Sequence, residues 1–127
     1  MMQPEYRAMV LADTNFVLNS WLKSYKDSAP LENIPQGIYY TEYKKTVQKR
    51  LEEGRTVMCV NPEDLDQIFG YVCFESPQVL HYIYIKYPYR KLGFAKQLYD
   101  IAGSPTIITS LPRNYKKSSG LIFNPWS

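Results

Sequence analysis

Nowhere in the 127 residues does an apolar run approach the roughly 20 residues that a membrane-crossing helix needs, so no membrane span is expected. Histidine occurs once, as His81, and cysteine twice, as Cys59 and Cys73. One imidazole and two thiols without ligand spacing leave no metal site to predict. Both cysteines fall inside strand-like runs, TVMCV and GYVCF, where a thiol reads as a small buried hydrophobe rather than a disulfide partner. Surplus charge is scarce as well: the formal net charge is +3, too little to argue a nucleic-acid partner. No basic-then-apolar leader opens the chain. Met1-Met2-Gln3-Pro4-Glu5 runs straight into foldable sequence, which predicts no secretion and a cytoplasmic location. What is present is 45% hydrophobic residues with no repeat and no low-complexity stretch. Length and composition together predict one domain over residues 1–127.

Tyr6 to Leu11 alternates as a first strand, and Asp13 or Thr14 is placed to accept the free amides of a following helix. In that helix Leu18, Trp21, Leu22 and Tyr25 share a face, and it ends near Asp27. Ala29 to Gly37, punctuated by Pro30, Pro35 and Gly37, is a loop. A second helix carries Tyr40, Tyr43, Val47 and Leu51 on one face, with Lys44, Lys45, Lys49 and Arg50 as a solvated side and Gly54 as a left-handed terminator. Arg55 to Val60 and Gln67 to Phe74 form a hairpin around NPEDLD. Val79 to Ile85 follows as a central strand, and simple alternation puts Val79, His81, Ile83 and Ile85 on one face and Leu80, Tyr82 and Tyr84 on the other. From Gly93 a helix buries Phe94, Leu98 and Ile101, flanked by Ala95 and Ala102, until Gly103-Ser104-Pro105 stops it. Thr106 to Thr109 is a further short strand.

The junction between the central strand and the last helix is basic and contains a glycine: Lys86, Arg90, Lys91 and Lys96 surround Gly93. Arg113, Lys116 and Lys117 form a second basic group. Most such runs are solvated faces, but positive charge beside a helix N-terminus, whose first amides have no partner, also suits an anionic ligand. A glycine there allows close backbone approach.

The stretch IYIKYPYRKLGFAKQLYD resembles the cofactor signature of the GNAT superfamily of acyl-CoA N-acyltransferases, in which a strand ends in a tyrosine-arginine pair and a Q/R-x-x-G-x-G/A loop begins a helix. Tyr89-Arg90 matches the pair, and Gly93 and Ala95 match the small positions. The element order is similar over roughly residues 6 to 110, and HYIYIKYPYRKLGFA is similar in particular to phage-encoded members. The resemblance implies an α/β (α+β) fold with a mixed, mostly antiparallel central sheet flanked by helices. It implies acetyl-CoA as cosubstrate, its pyrophosphate on the backbone of Arg90, Lys91, Leu92, Gly93, Phe94 and Ala95. The pantetheine arm would lie along Ile83, Tyr84 and Ile85, in a splay between this strand and the next. The amine acceptor is a small molecule or a protein, and a homodimer is an open expectation.

Acetyl transfer needs a proton acceptor for the ammonium and an acid for the leaving thiolate. The serotonin N-acetyltransferase branch carries histidines on this strand, and His81 matches one in its distance from Arg90, so His81 is the candidate base. Its other reading is a core histidine bonded to backbone, and Glu75 is a second candidate. The resemblance suggests Tyr115 in LPRNYKKSSGLIF as the acid, about one residue out of register. After Ser110 the 17 remaining residues predict a shortened C-terminal part. Either Leu121 to Phe123 makes one final strand or a partner chain covers the sheet. Three functions follow: an N-acetyltransferase working by direct attack in a ternary complex, a GNAT-like binding or regulatory protein without turnover, or a structural virion or assembly protein. A doubly wound nucleotide enzyme does not fit, because no strand-helix-strand repeat precedes the glycine turn.

Overall fold

Six strands form a single sheet in chain order, β1-β2-β3-β4-β5-β6. The computed structural model describes residues 3–26, 33–75, 78–110 and 120–126. The strands are β1 (Glu5–Ala8), β2 (Arg55–Asn61), β3 (Asp64–Glu75), β4 (Val79–Ile85), β5 (Ile107–Ile108) and β6 (Ile122–Phe123), and the helices are α1 (Thr14–Tyr25), α2 (Gln36–Glu53) and α3 (Phe94–Ile101). β1 to β4 pair antiparallel; β5 joins β4, and β6 joins β5, in parallel. The expected mixed, mostly antiparallel sheet flanked by helices is therefore present, and the segment around Leu121–Phe123 supplies a sixth strand. The basic group Arg113, Lys116 and Lys117, candidate Tyr115, the predicted end of helix one at Asp27 and the first four residues of the Ala29–Gly37 loop lie outside the described residues.

The helices cover both faces. On one, Val17, Leu18, Trp21 and Leu22 of α1 and Val47 of α2 pack on Met58, Tyr71 and Cys73 of the sheet. On the other, Phe94 and Leu98 of α3 pack on Cys59, Phe69, Val72 and Ile85. Each such side chain, taken fully out of water, contributes about 1.5–3 kcal/mol.

Several local expectations change. β1 stops at Ala8, and a short 3-10 turn, Leu11–Asp13, follows. Asp13 does not cap α1: its carboxylate takes Arg7 Nη1 at 2.6 Å, Arg7 Nη2 at 3.0 Å and Val10 N–H at 2.9 Å, which ties β1 to the turn. The arginine holds that carboxyl below its usual value. α2 begins at Gln36, inside the predicted loop, and the hairpin strands run on to a two-residue turn at 62–63. Gly54 ends α2 in extended backbone, φ −97°, and not left-handed. Glycine is required there for room, since a Cβ would lie 2.9 Å from both Arg50 O and Phe74 O. Ala102, the residue that ends α3, is buried with Phe94 and Leu98, and Ile101 faces solvent. Arg50, assigned to the solvated face of α2, is buried.

β4 also departs from simple alternation. Tyr82 sits opposite Cys73 and Leu80 opposite Phe74, so His81 is an extra residue in β4, a bulge. The bulge shifts the phase: Ile83 and Leu80 both pack on the α3 side, and Tyr82 packs on the α1–α2 side. His81 is released from the face predicted for it.

Candidate functional site

β5 pairs only with the first two residues of β4. Val79 pairs with Ile107 and Leu80 with Ile108, and Thr109 N–H donates to Leu80 O at 3.0 Å. Beyond that point, among the described residues, no backbone hydrogen bond joins β4 to β5. Along His81 to Ile85, about 13 Å of strand, β4 has no strand partner on that side among the described residues, which leaves a gap in the pairing. Lys86 N–H bonds back to Phe69 O at 2.8 Å, so alternation turns the backbone groups of Ile83 and Ile85 away from β3, to the gap side. Arg90 Nε takes up Ile85 O at 2.9 Å. Tyr84 aims its ring at Tyr71 and Phe16 instead.

At the far end of the gap the chain turns through Tyr87–Tyr89 and residues 90–93 into α3. Lys91 has φ 65° and Gly93 φ 85°, two left-handed residues that bend the loop back onto the start of the helix. Among the described residues a Cβ on Gly93 would meet nothing within 4 Å, so they leave the face above the turn open. The first backbone bond of α3 runs from Gln97 N–H to Gly93 O at 3.2 Å, which leaves the amides of Phe94, Ala95 and Lys96 ahead of it. α3 has no side-chain cap and no acidic residue in its first turn. Among the described residues none of Arg90, Lys91 and Lys96 is in an ion pair. Free amides, the positive end of a helix and three unpaired cations fit a pyrophosphate. The Phe94 side chain belongs to the core, stacked on Phe69 at 5.7 Å, so its part in any such cradle is its amide.

At the near end of the gap, where β4 and β5 part, polar groups concentrate. His81 is 1% exposed; its Nδ1 lies 2.7 Å from Thr109 Oγ1 and its Nε2 2.9 Å from Glu75 Oε1. Arg50 donates from Nη1 to Thr109 Oγ1 at 2.9 Å and from Nη2 to Pro125 O at 3.0 Å. Tyr43 and Ser110 hydroxyls stand 3.4 Å apart beside them. Burial, above all, pushes the His81 pKa down, and the Arg50 charge adds to it against the pull of Glu75. A neutral ring satisfies every partner: Thr109 O–H donates to Nδ1, Nε2–H donates to the Glu75 carboxylate, and the Thr109 oxygen accepts from Arg50.

The structure thus unites His81 with Glu75, the two candidate bases, and shows that the partners of His81 are side chains and not backbone. The ring presents no free nitrogen; the half-exposed member of the pair is Glu75. Arg50, Thr109 and Ser110 were missed from the sequence. Arg50 carried one signal, its place three residues after Val47 and eleven after Tyr39, on the buried stripe of α2. Tyr40 lines a groove with Asn19, Leu22 and Lys44.

Because His81 is neutral in the fold and titrates normally when unfolded, the unfolded chain binds more protons below about pH 6.5. Its contribution to stability is present above that pH and is lost as pH falls. Denaturant titrations from pH 7.5 to 4.5 are expected to show stability falling with acid, and His81→Gln to flatten that fall. The Asp13 pair gives way only at lower pH, below about 3.8.

A six-stranded, mostly antiparallel sheet with helices on both faces, a parallel β4–β5 pair and a glycine turn leading into α3 matches the fold of the GNAT acetyltransferases. Solved structures bear this out. Apo YjaB from Escherichia coli aligns with TM-score 0.58 at 21% identity over 81% of this chain and 66% of its own. A GCN5-related N-acetyltransferase from Rhodopseudomonas palustris aligns with TM-score 0.55 at 13% identity over 82% and 69%. The ribosomal-protein-alanine N-acetyltransferase from Brucella melitensis biovar Abortus 2308 aligns with TM-score 0.51 at 16% identity over 98% and 96%. The chain spans about two thirds of the length of the first two. No protein-family model and no curated protein matches the sequence.

Proposed function

We propose that the protein is an acetyl-CoA-dependent N-acetyltransferase acting on a primary amine of a small molecule or a protein. The observation that carries this reading is the β4–β5 gap, with polar side chains at its closed end and an open glycine turn at the other. Backbone amides from Lys91 to Ala95 hold the pyrophosphate, and Ile83 offers its backbone groups to the pantetheine amides. Bound acetyl-CoA supplies the thioester carbonyl that the amine attacks. The acceptor ammonium gives its proton to the His81–Glu75 pair at the partly exposed Glu75 carboxylate, which His81 orients, and Tyr115 returns one to the departing thiolate. Transfer is direct: burial pushes the Cys59 thiol up to about 11 and the Cys73 thiol up to about 12, so neither is a thiolate ready for an acyl-enzyme. The resemblance to phage-encoded members extends the reading to a host cytoplasm, and the place of β6 at the end of the strand order to a homodimer.

The burial of His81 with both nitrogens engaged favours a second reading, a cofactor-binding protein without turnover. Thermal unfolding with 1 mM acetyl-CoA, followed by thiol release in the presence of polyamines, aminoglycosides and peptide amines, separates the two. A raised midpoint with thiol release supports the enzyme, and a raised midpoint without it supports the binder. No shift overturns both.

A further inference from the structure

Tyr87 is 80% exposed, although the turn that carries it is stiff. Pro88 fixes one backbone angle, Tyr89 N–H donates to Lys86 O at 2.9 Å, and Arg90 N–H donates to Tyr87 O at 3.2 Å. The neighbouring side chains turn inward: Tyr89 packs on Phe69 with ring centroids 4.3 Å apart, and the Lys86 ammonium lies 4.9 Å from the Phe16 ring. Tyr87 instead keeps its ring at the surface, with the Arg90 guanidinium 5.7 Å from its centroid. That guanidinium is itself anchored through Nε to Ile85 O at 2.9 Å.

Single exposed aromatics are ordinary on protein surfaces, and Trp126 is another. The position of Tyr87 sets it apart. It stands two residues past Ile85, where β4 leaves the sheet, at the opposite end of the gap from His81 and Thr109. A ligand with its phosphates on the α3 amides and its thioester where β4 and β5 part must direct its remaining end outward past the turn. In acetyl-CoA that end is a nucleotide.

The geometry points to Tyr87, backed by Arg90, as a stacking platform for the purine of the acyl donor. This rests on the acetyl-CoA reading and narrows it: the donor is a nucleotide-bearing thioester and not a nucleotide-free phosphopantetheine carrier. An aromatic face and a guanidinium together hold any flat base, and a stacked base is worth a 5- to 100-fold change in affinity, about 1–2.7 kcal/mol.

Calorimetric titration of CoA and of 4′-phosphopantetheine into the wild type, Tyr87→Ala and Tyr87→Phe tests the assignment. The wild type is expected to bind CoA more tightly than phosphopantetheine. Tyr87→Ala is expected to lose about 5- to 100-fold for CoA with phosphopantetheine unchanged, and Tyr87→Phe to keep the wild-type values. Because the side chain is exposed, the variants should unfold at the wild-type temperature. Equal losses for both ligands mean that Tyr87 shapes the loop, which overturns the platform. Wild-type CoA affinity in Tyr87→Ala overturns it as well, and leaves the acetyl-CoA reading standing. If the wild type binds neither ligand, both fall together.

Discussion

Gly93→Trp will abolish stabilisation by acetyl-CoA. At about 100 times its dissociation constant a ligand that binds only the folded state adds about 2.7 kcal/mol, which for a chain of this length raises the midpoint by about 10 °C. The wild type should show that rise and the variant none, because the indole fills the open space above the turn. Residue 93 has φ 85°, so the tryptophan there also costs roughly 1–2 kcal/mol and lowers the unliganded midpoint by about 5 °C. Gly93→Asn separates the two effects. Asparagine tolerates the left-handed region, so its unliganded midpoint should stay near the wild type, while its side chain still obstructs the phosphates. A full acetyl-CoA shift in both variants would move the cofactor away from this loop.

That loop was the most legible part of the chain. A run of aromatic and β-branched residues, a glycine and then a helical stripe are local signals, and β4, the turn and α3 appear where those signals put them. The left-handed backbone at Gly93 follows from the residue type itself. What stayed hidden depends on register and on distant partners. Counting by twos along β4 assigned His81 to the same face as Ile83, but the bulge arises in the pairing with β3, and one inserted residue reverses the phase. Gly54 was recognised as a helix end for the wrong reason, since the carbonyl of Phe74 that crowds it is 20 positions away. The partners of Arg50, Thr109 and Pro125, lie 59 and 75 positions along the chain, and no helical pattern reports them. Lysines beside it made one more cation look like surface.

Arg50→Met is expected to show how much that hidden contact matters. Methionine keeps most of the apolar stem, so the loss falls on the guanidinium. Replacing a whole buried ionic network with apolar side chains is often neutral, but here only one side is removed. Thr109 Oγ1 and Pro125 O remain as acceptors, and the tie between α2 and the segment after β6 is cut. The expected cost is about 2–3 kcal/mol, or a fall of about 10 °C in the midpoint, whereas Lys49→Met on the exposed side of the same helix should stay within about 0.5 kcal/mol. A second readout belongs to His81. The Arg50 charge helps to hold its pKa down, so the variant lets it rise toward the ordinary value and the acid-dependent loss of stability below pH 6.5 becomes shallower. A midpoint equal to that of Lys49→Met would make Arg50 a spectator in the fold. A large fall with an unchanged pH slope would leave it a structural tie without electrostatic hold on the histidine, and would shift the control of His81 to burial and Glu75.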